Sequence, residues 1–417
     1  MAITIVENPV NNSSVHDDLW HVVESGNATQ VDFKYVFDLF VNNVQLIRTK
    51  IYPNPSDNLG YFNASNIISN EMKFDWFVPN GQFVMKELND SGEIYLNYEY
   101  RIGEDVAGVT TLNMASGTVK VANCVPNLFA RRTNDIANTS ILENTTPRFL
   151  TNRDKVNKTD YGEDFYVGVV ISANENSDYI AVKQYNSNNQ LLTSGTISMP
   201  VGNMTSIFQL NISPDGLNQG FPASGNIFQF TCDYYLVELW TKQGNPYIKV
   251  DSIKLQFDCN QKYEVINLHF LNNFGIFDTA RFTCVSKLNM DVQRKTFEKP
   301  DYRFDNGVSF YDASFPDTPQ FSTNRKYYET KVNFGSQYQW NYKLTMDFPS
   351  DTDYQWLAEL IMSPQIWMEK RYDDNEKEYY PVSIKATNYE YSKHVNNGLR
   401  AFEVEIDMNQ KRNGFRR

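Results

Sequence analysis

Tyr338, Trp340, Tyr342, Leu344, Met346 and Phe348 alternate without a break against Gln339, Asn341, Lys343, Thr345 and Asp347. A period of two puts every apolar side chain on one face of an extended strand, and no helix can do that. The same alternation runs through Val31, Phe33, Tyr35, Phe37, Leu39 and Val41. It returns in Ile266, Leu268 and Phe270, and again in Ala280, Phe282 and Cys284. A chain patterned in this way folds mostly as half-buried strands. Its 26 Tyr and 28 Phe suit pleated surfaces, and a 41% hydrophobic content is too high for disorder.

The expected architecture is all-β, with tandem β-sandwich-like domains and a C-terminal β domain carrying one short helix. Residues 1–130 read as the first sandwich, where Asn42-Asn43 offers a two-residue turn and Tyr52-Pro53-Asn54-Pro55 a rigid bend. Residues 131–160 are polar and aperiodic, a linker or an arm docked on a neighbour. Residues 161–298 read as a second sandwich, in which Phe228, Phe230, Cys232, Tyr234, Leu236 and Trp240 share a face with Glu238 as intruder. The hairpin of Tyr263–Val285 completes that region, reversing at Asn272-Asn273-Phe274-Gly275, where Asn and Gly tolerate positive φ. Residues 299–417 form the third region. There Ser350-Asp351-Thr352-Asp353 supplies capping groups for a helix near Asp351–Met362, and Ser363-Pro364 stops it.

Catalytic patterns are missing: no phosphate loop, no dinucleotide fingerprint, no HExxH and no GxSxG elbow. His16, His21, His269 and His394 are scattered, and His269 falls on the polar parity of its strand, which reads as surface or sheet edge. Cys124, Cys232, Cys259 and Cys284 have neither metal-ligand nor disulfide-framework spacing, and Cys232 and Cys284 fall on inward parity as apolar filler. Asp373-Asp374 reads as a solvated turn, and Asp305, Asp312 and Asp317 among aromatics are a weak candidate for a sugar groove. No catalytic residue, metal or cofactor is expected. The net charge of −12 argues against duplex DNA binding by phosphate neutralisation. No apolar run reaches the ~18 residues of a membrane helix. MAITIVENPVNN lacks the basic region and apolar core of a signal peptide, so the protein is expected to start in a cytoplasm.

Three stretches carry a resemblance. They are Phe33-Lys34-Tyr35-Val36 with Tyr52-Pro53-Asn54-Pro55 and Leu59-Gly60; the hairpin with Asn272, Asn273, Gly275 and Asp278; and Trp356-Leu357 through Leu360, Ser363-Pro364, Trp367 and Pro381-Val382. In order, they resemble virion structural proteins of crAss-like tailed phages of Bacteroidota. Where others of that group carry Trp-Leu-Asn before the Gly turn, this chain has Phe270-Leu271-Asn272. The resemblance implies a neck or tail ring, or a tail-adaptor subunit, located in the virion and assembled in the host cytoplasm. The implied partners are other copies in a twelve-fold or six-fold ring, the portal, and neighbouring tail rings or fibres. Genomic DNA would touch the protein only in passage, and no membrane is involved. Asn272, Asn273, Gly275, Asp278, Trp356 and Trp367 are then structural motif residues. The competing reading is a glycan- or receptor-binding tail fibre module.

Overall fold

The computed structural model describes residues 3–11, 13–72, 84–87, 95–125, 147–171, 178–199, 206–220, 228–229, 231–242, 246–258, 261–298, 331–346, 350–372, 376–385, 401–409 and 412–416. Of the described residues, 61% lie in strands and 8% in helices. Residues 131–146, Phe230, Cys259, Asp305, Asp312, Asp317, Phe348, Asp373-Asp374 and His394 lie outside them.

The first region contains β1 (Thr4–Glu7), β2 (Ser13–Ser14), β3 (Trp20–Glu24), β4 (Phe33–Val41), β5 (Val44–Ile51) and β6 (Gly60–Asn63). After these come α1 (Ser65–Ile68), β7 (Val84–Glu87), β8 (Tyr95–Val106) and β9 (Val109–Ala122). Sheets β1-β3-β6 and β2-β9-β8-β4-β5 enclose a core in which Tyr35, Leu39, Tyr98 and Ile102 are fully buried. Asn42 and Asn43 take φ of 51° and 65°, the double left-handed conformation that lets β4 return directly as β5.

The second region contains β10 (Arg148–Leu150), β11 (Val156–Thr159), β12 (Tyr166–Ile171), β13 (Tyr179–Tyr185), β14 (Leu191–Ser198) and β15 (Ser206–Asn211). α2 (Pro214–Gly220), β16 (Tyr234–Lys242) and β17 (Tyr247–Phe257) follow. Sheet β10-β12-β15-β7 packs on sheet β11-β17-β16-β13-β14, and β7 reaches it from the first region. Residues 148–159, within the stretch read as linker or arm, supply β10 and β11, which dock on this chain's own sandwich. Parity in β16 is the reverse of what its aromatics suggest. Tyr235, Val237 and Leu239 are the buried residues, while Tyr234 and Trp240 stand on the outer face. There Tyr185 and Tyr234 stack at 5.0 Å and Tyr179 lies parallel to Trp240 at 6.0 Å, so cross-strand ring pairs shelter each other where a core would otherwise be needed.

The third region contains β18 (Ile266–Leu271), β19 (Phe277–Phe282), β20 (Lys287–Glu298), β21 (Lys331–Met346) and α3 (Asp351–Met362). It closes with β22 (Ile366–Arg371), β23 (Lys377–Ile384), β24 (Phe402–Asp407) and β25 (Arg412–Arg416). One sheet runs β19-β18-β22-β23-β24-β21-β20, with β25 added to β21. The β18–β19 hairpin, grouped with the second region in sequence, therefore pairs with β22 nearly a hundred residues on. α3 caps as the sequence predicts: Ser350 Oγ accepts the Asp353 N–H at 3.0 Å. Its Trp356, Leu357 and Leu360 lie on Ile266, Leu268 and Phe270. Cys284 follows β19 and is only partly buried, and Cys232 precedes β16, so neither thiol sits inside a strand.

Candidate functional site: a three-way junction

The β18–β19 corner is where all three regions meet. Gly275 has φ +74°, a left-handed conformation, and its N–H donates to the Asn272 carbonyl at 2.9 Å. The Asn272 side chain folds the corner from inside, accepting from the Phe274 N–H at 2.9 Å and the Ile276 N–H at 3.2 Å. Its Nδ2 donates to the Leu150 carbonyl of the second region at 2.8 Å. Asn273 bridges through its backbone. Its carbonyl accepts from Val125 of the first region at 2.8 Å, and its N–H donates to Glu359 of α3 at 2.9 Å. A Cβ on Gly275 would stand 2.2 Å from the Asn123 carbonyl oxygen, so this residue is glycine for two reasons. Gly275→Val should destabilise the chain by roughly 2 kcal/mol, from left-handed strain on a non-Gly residue together with displacement of the Asn123 backbone. Denaturant titration checks this; a midpoint equal to wild type would remove the special role of the corner.

Around the corner most of the polar groups bond to one another, while the buried Arg153 Nε has no hydrogen-bond partner among the described residues. Asp278 accepts from Thr151 Oγ1 at 2.8 Å and from Trp356 Nε1 at 2.9 Å. Glu359 accepts from Asn152 Nδ2 at 2.7 Å. The Arg153 guanidinium lies 4.6 Å from the Phe165 ring centre and 4.8 Å from that of Trp356, and burial lowers its pKa to about 10. Burial pushes Asp278 up, and it pushes Glu359 up to about 7 against the pull of its two hydrogen bonds. Trp367 lies one strand away, packed with Tyr166, Leu271 and Phe277.

A second polar layer continues from this corner across the sheet. Arg281, Asn267, Glu369 and Tyr379 are neighbours across β19, β18, β22 and β23. Arg281 binds Glu163 with two bonds, 2.8 and 3.1 Å, and Asp258 with a third at 3.0 Å. Burial raises the Glu163 pKa against the opposing pull of the Arg281 fork. Asp164 is also buried, but the Lys377 ammonium at 2.7 Å and hydrogen bonds from Tyr379 and Tyr166 hold its carboxyl below the usual range. His269 is fully buried rather than at a surface or edge. Its Nε2 faces Glu369 at 3.2 Å and its Nδ1 faces Thr279 Oγ1 at 2.9 Å. A carboxylate at Glu369 only accepts, so the Nε2–Glu369 bond runs from the imidazole to the carboxylate.

Thr279, His269 and Glu369 follow the order of a nucleophile, base and acid. They are only 1%, 0% and 3% exposed, and Thr279 Oγ1 also accepts the Tyr166 N–H at 2.9 Å. That geometry fixes Tyr166 against the hairpin and leaves the hydroxyl committed to protein groups. His16 and His21 are likewise held in place. His16 meets Asn123 Oδ1 at 2.9 Å, and His21 lies buried between Asn8 and Tyr98 with its pKa lowered to about 4 by burial. Among the described residues no three His, Cys, Asp or Glu are grouped to hold a metal ion, and no helix is long and apolar enough to cross a membrane.

The structure thus brings together Asn272, Asn273, Gly275, Asp278 and Trp356 in one node, with Trp367 in the adjoining layer. Sequence reasoning missed Glu163, Asp164, Arg281, Glu359, Glu369 and Lys377. Arg281 and Glu359 carry one signal, a charge inside an apolar run, as in Ala280-Arg281-Phe282 and Ala358-Glu359-Leu360; Glu163, Asp164, Glu369 and Lys377 have charged or polar neighbours and carry none.

No family model and no curated protein matches the chain. Among solved structures it is similar to the crystal structure of the chicken CNTN1 FN1–FN3 domains, at 9% identity and a TM-score of 0.18. The match covers 61% of this chain and 64% of that one, so this chain spans under two thirds of its length. At that level it carries no function across.

Proposed function

We propose that the chain is a non-enzymatic structural subunit of a tailed-phage virion, a homo-oligomeric neck or tail ring or a tail adaptor around the DNA exit path. The observation that carries this reading is the junction. Asn272, Asn273, Gly275, Asp278 and Trp356 of the resemblance converge on a buried node whose hydrogen bonds run to all three regions. Such a node sets the angles between regions, and repeated copies need fixed angles to close a ring. Twelve-fold order beside a portal, or six-fold order further down, follows from the resemblance, as do contacts with the portal and with neighbouring rings or fibres. A net charge of −12 suits a surface that DNA passes without sticking.

The glycan-binding alternative needs exposed ring faces. On the outer face of the second sandwich, Tyr234 has Tyr185 stacked on it, and the Lys254 ammonium lies 3.8 Å from its ring centre. Those two rings are occupied by the protein's own side chains, so Tyr185 and Tyr234 do not offer a free stacking platform on this sheet. Quantitative mass spectrometry of gradient-purified virions tests it: the chain should be present in a copy number that is a multiple of six. Absence from particles, or turnover of capsule or peptidoglycan by the purified protein that one carboxylate substitution abolishes, would refute it.

A further inference from the structure

β20 is exposed at all twelve positions and ends its sheet, with no strand on its outer edge among the described residues. It pairs with β21 along its whole length, and the pairing sets Leu288 beside Tyr342, Met290 beside Trp340 and Val292 beside Tyr338. These six side chains share one face. That face begins in the core, where Leu344 is fully buried and Tyr342 packs against the α3 cluster. Further out the covering layer stops, leaving Leu288 49%, Met290 48%, Val292 40% and Trp340 37% exposed. An apolar row that outruns its own core marks an interaction site.

Charge narrows the choice of partner. β20, β21 and β25 together hold seven Lys or Arg against Asp291 and Glu298. That leaves +5 on the ribbon and −17 on the rest of a chain whose net charge is −12. Lys343 is satisfied at the base by Glu403 at 2.6 Å, and Asp291 by Lys385 at 3.4 Å, while Arg294, Lys295 and Lys331 stand at the far end of the β20–β21 pair with Glu298. The surface complementary to an apolar row with a basic end is an exposed apolar site on the acidic remainder of the chain, and this chain offers one. Val31 and Val109 are 89% and 71% exposed at one end of the β4–β8 sheet, where Asp32 is paired with Lys34 at 3.0 Å.

We propose that the β20–β21–β25 ribbon is a homotypic arm that lays its apolar row and basic end on the acidic body of a second copy of this chain. Arm and receptor are different surfaces, so the contact is head-to-tail, the kind that closes rings. Duplex DNA fits the ribbon less well, because phosphate contacts come from basic and polar groups and leave an apolar row uncovered. The charges along β20 keep the open edge from pairing indiscriminately. The inference deepens the homo-oligomeric part of the proposed function.

Sedimentation of the full chain at micromolar concentration, in low and high salt, tests it together with photocrosslinking from a benzoylphenylalanine at position 290. Expected are homo-oligomers that weaken at least tenfold in high salt and a crosslink into another copy. The combined variant Leu288→Ser, Met290→Ser, Val292→Ser should be monomeric with unchanged melting, since all three side chains are exposed. A monomeric wild type, a variant that assembles normally, or a crosslink to nucleic acid would overturn the arm. Virion copy number is independent of these outcomes. A ring closed through other surfaces would sink the arm and keep the function, and ribbon-linked oligomers missing from virions would do the reverse.

Discussion

Arg281→Met is expected to destabilise the chain by about 3–5 kcal/mol, because it leaves Glu163 as a buried carboxylate stripped of its fork. The side chains of Arg281 and Glu163 are 4% and 2% exposed. Arg371 at 3.6 Å is the residual cation and is too far to replace two hydrogen bonds. The double variant Arg281→Met, Glu163→Gln should recover most of the loss, since removing both charges also removes the cost of burying them. Denaturant unfolding of the two variants decides the matter. A single variant within about 0.5 kcal/mol of wild type, the usual range for an unimportant surface change, would show that the layer does not hold the regions together.

Glu359 should make stability fall as pH rises from 4.5 toward 7. Its ordinary value is 4.5 and the folded value is about 7, so the folded state holds this proton more tightly than the unfolded state in that window. The penalty is absent below 4.5 and fully present above 7, and amounts to about 3 kcal/mol at most. Asp278, also raised by burial, acts in the same direction. His21 acts in the opposite sense: burial lowers it to about 4, so its contribution is lost as pH falls through roughly 6 to 4. The raw profile therefore mixes the two. Glu359→Gln separates them, because it removes only the carboxylate penalty, and Asn152 can rotate its amide to accept from the new Nε2. Wild type minus variant should slope downward between pH 4.5 and 7. Parallel profiles would mean that Glu359 titrates normally.

Much of this fold is legible in period and turn chemistry. Alternation marks β4 and β21, Asn42-Asn43 marks a hairpin, and Ser350 marks the start of α3, because each depends on neighbours in sequence. The junction was harder to read. Polar residues at every second position of β18 look like a solvent face, yet the second region covers that face and supplies Glu163, Asp164 and Tyr166 as partners. Period two cannot tell water from a buried polar layer. The pairing of β18 with β22 was equally hidden, since strand partners so far apart leave no local trace. At β16 the aromatics pointed to the wrong face, because Tyr and Trp stacked across strands shield themselves on a sheet's outer side as well as inside a core.

The most direct test of the structural-subunit claim is a cryo-EM reconstruction of the virion into which this chain is placed. The prediction is a closed ring on the tail axis near the portal, six or twelve copies, with the Asn272–Asp278 corner buried in each subunit and the acidic surface toward the DNA path. Placement as isolated monomers, as a trimeric fibre shaft, or nowhere in the particle would contradict it.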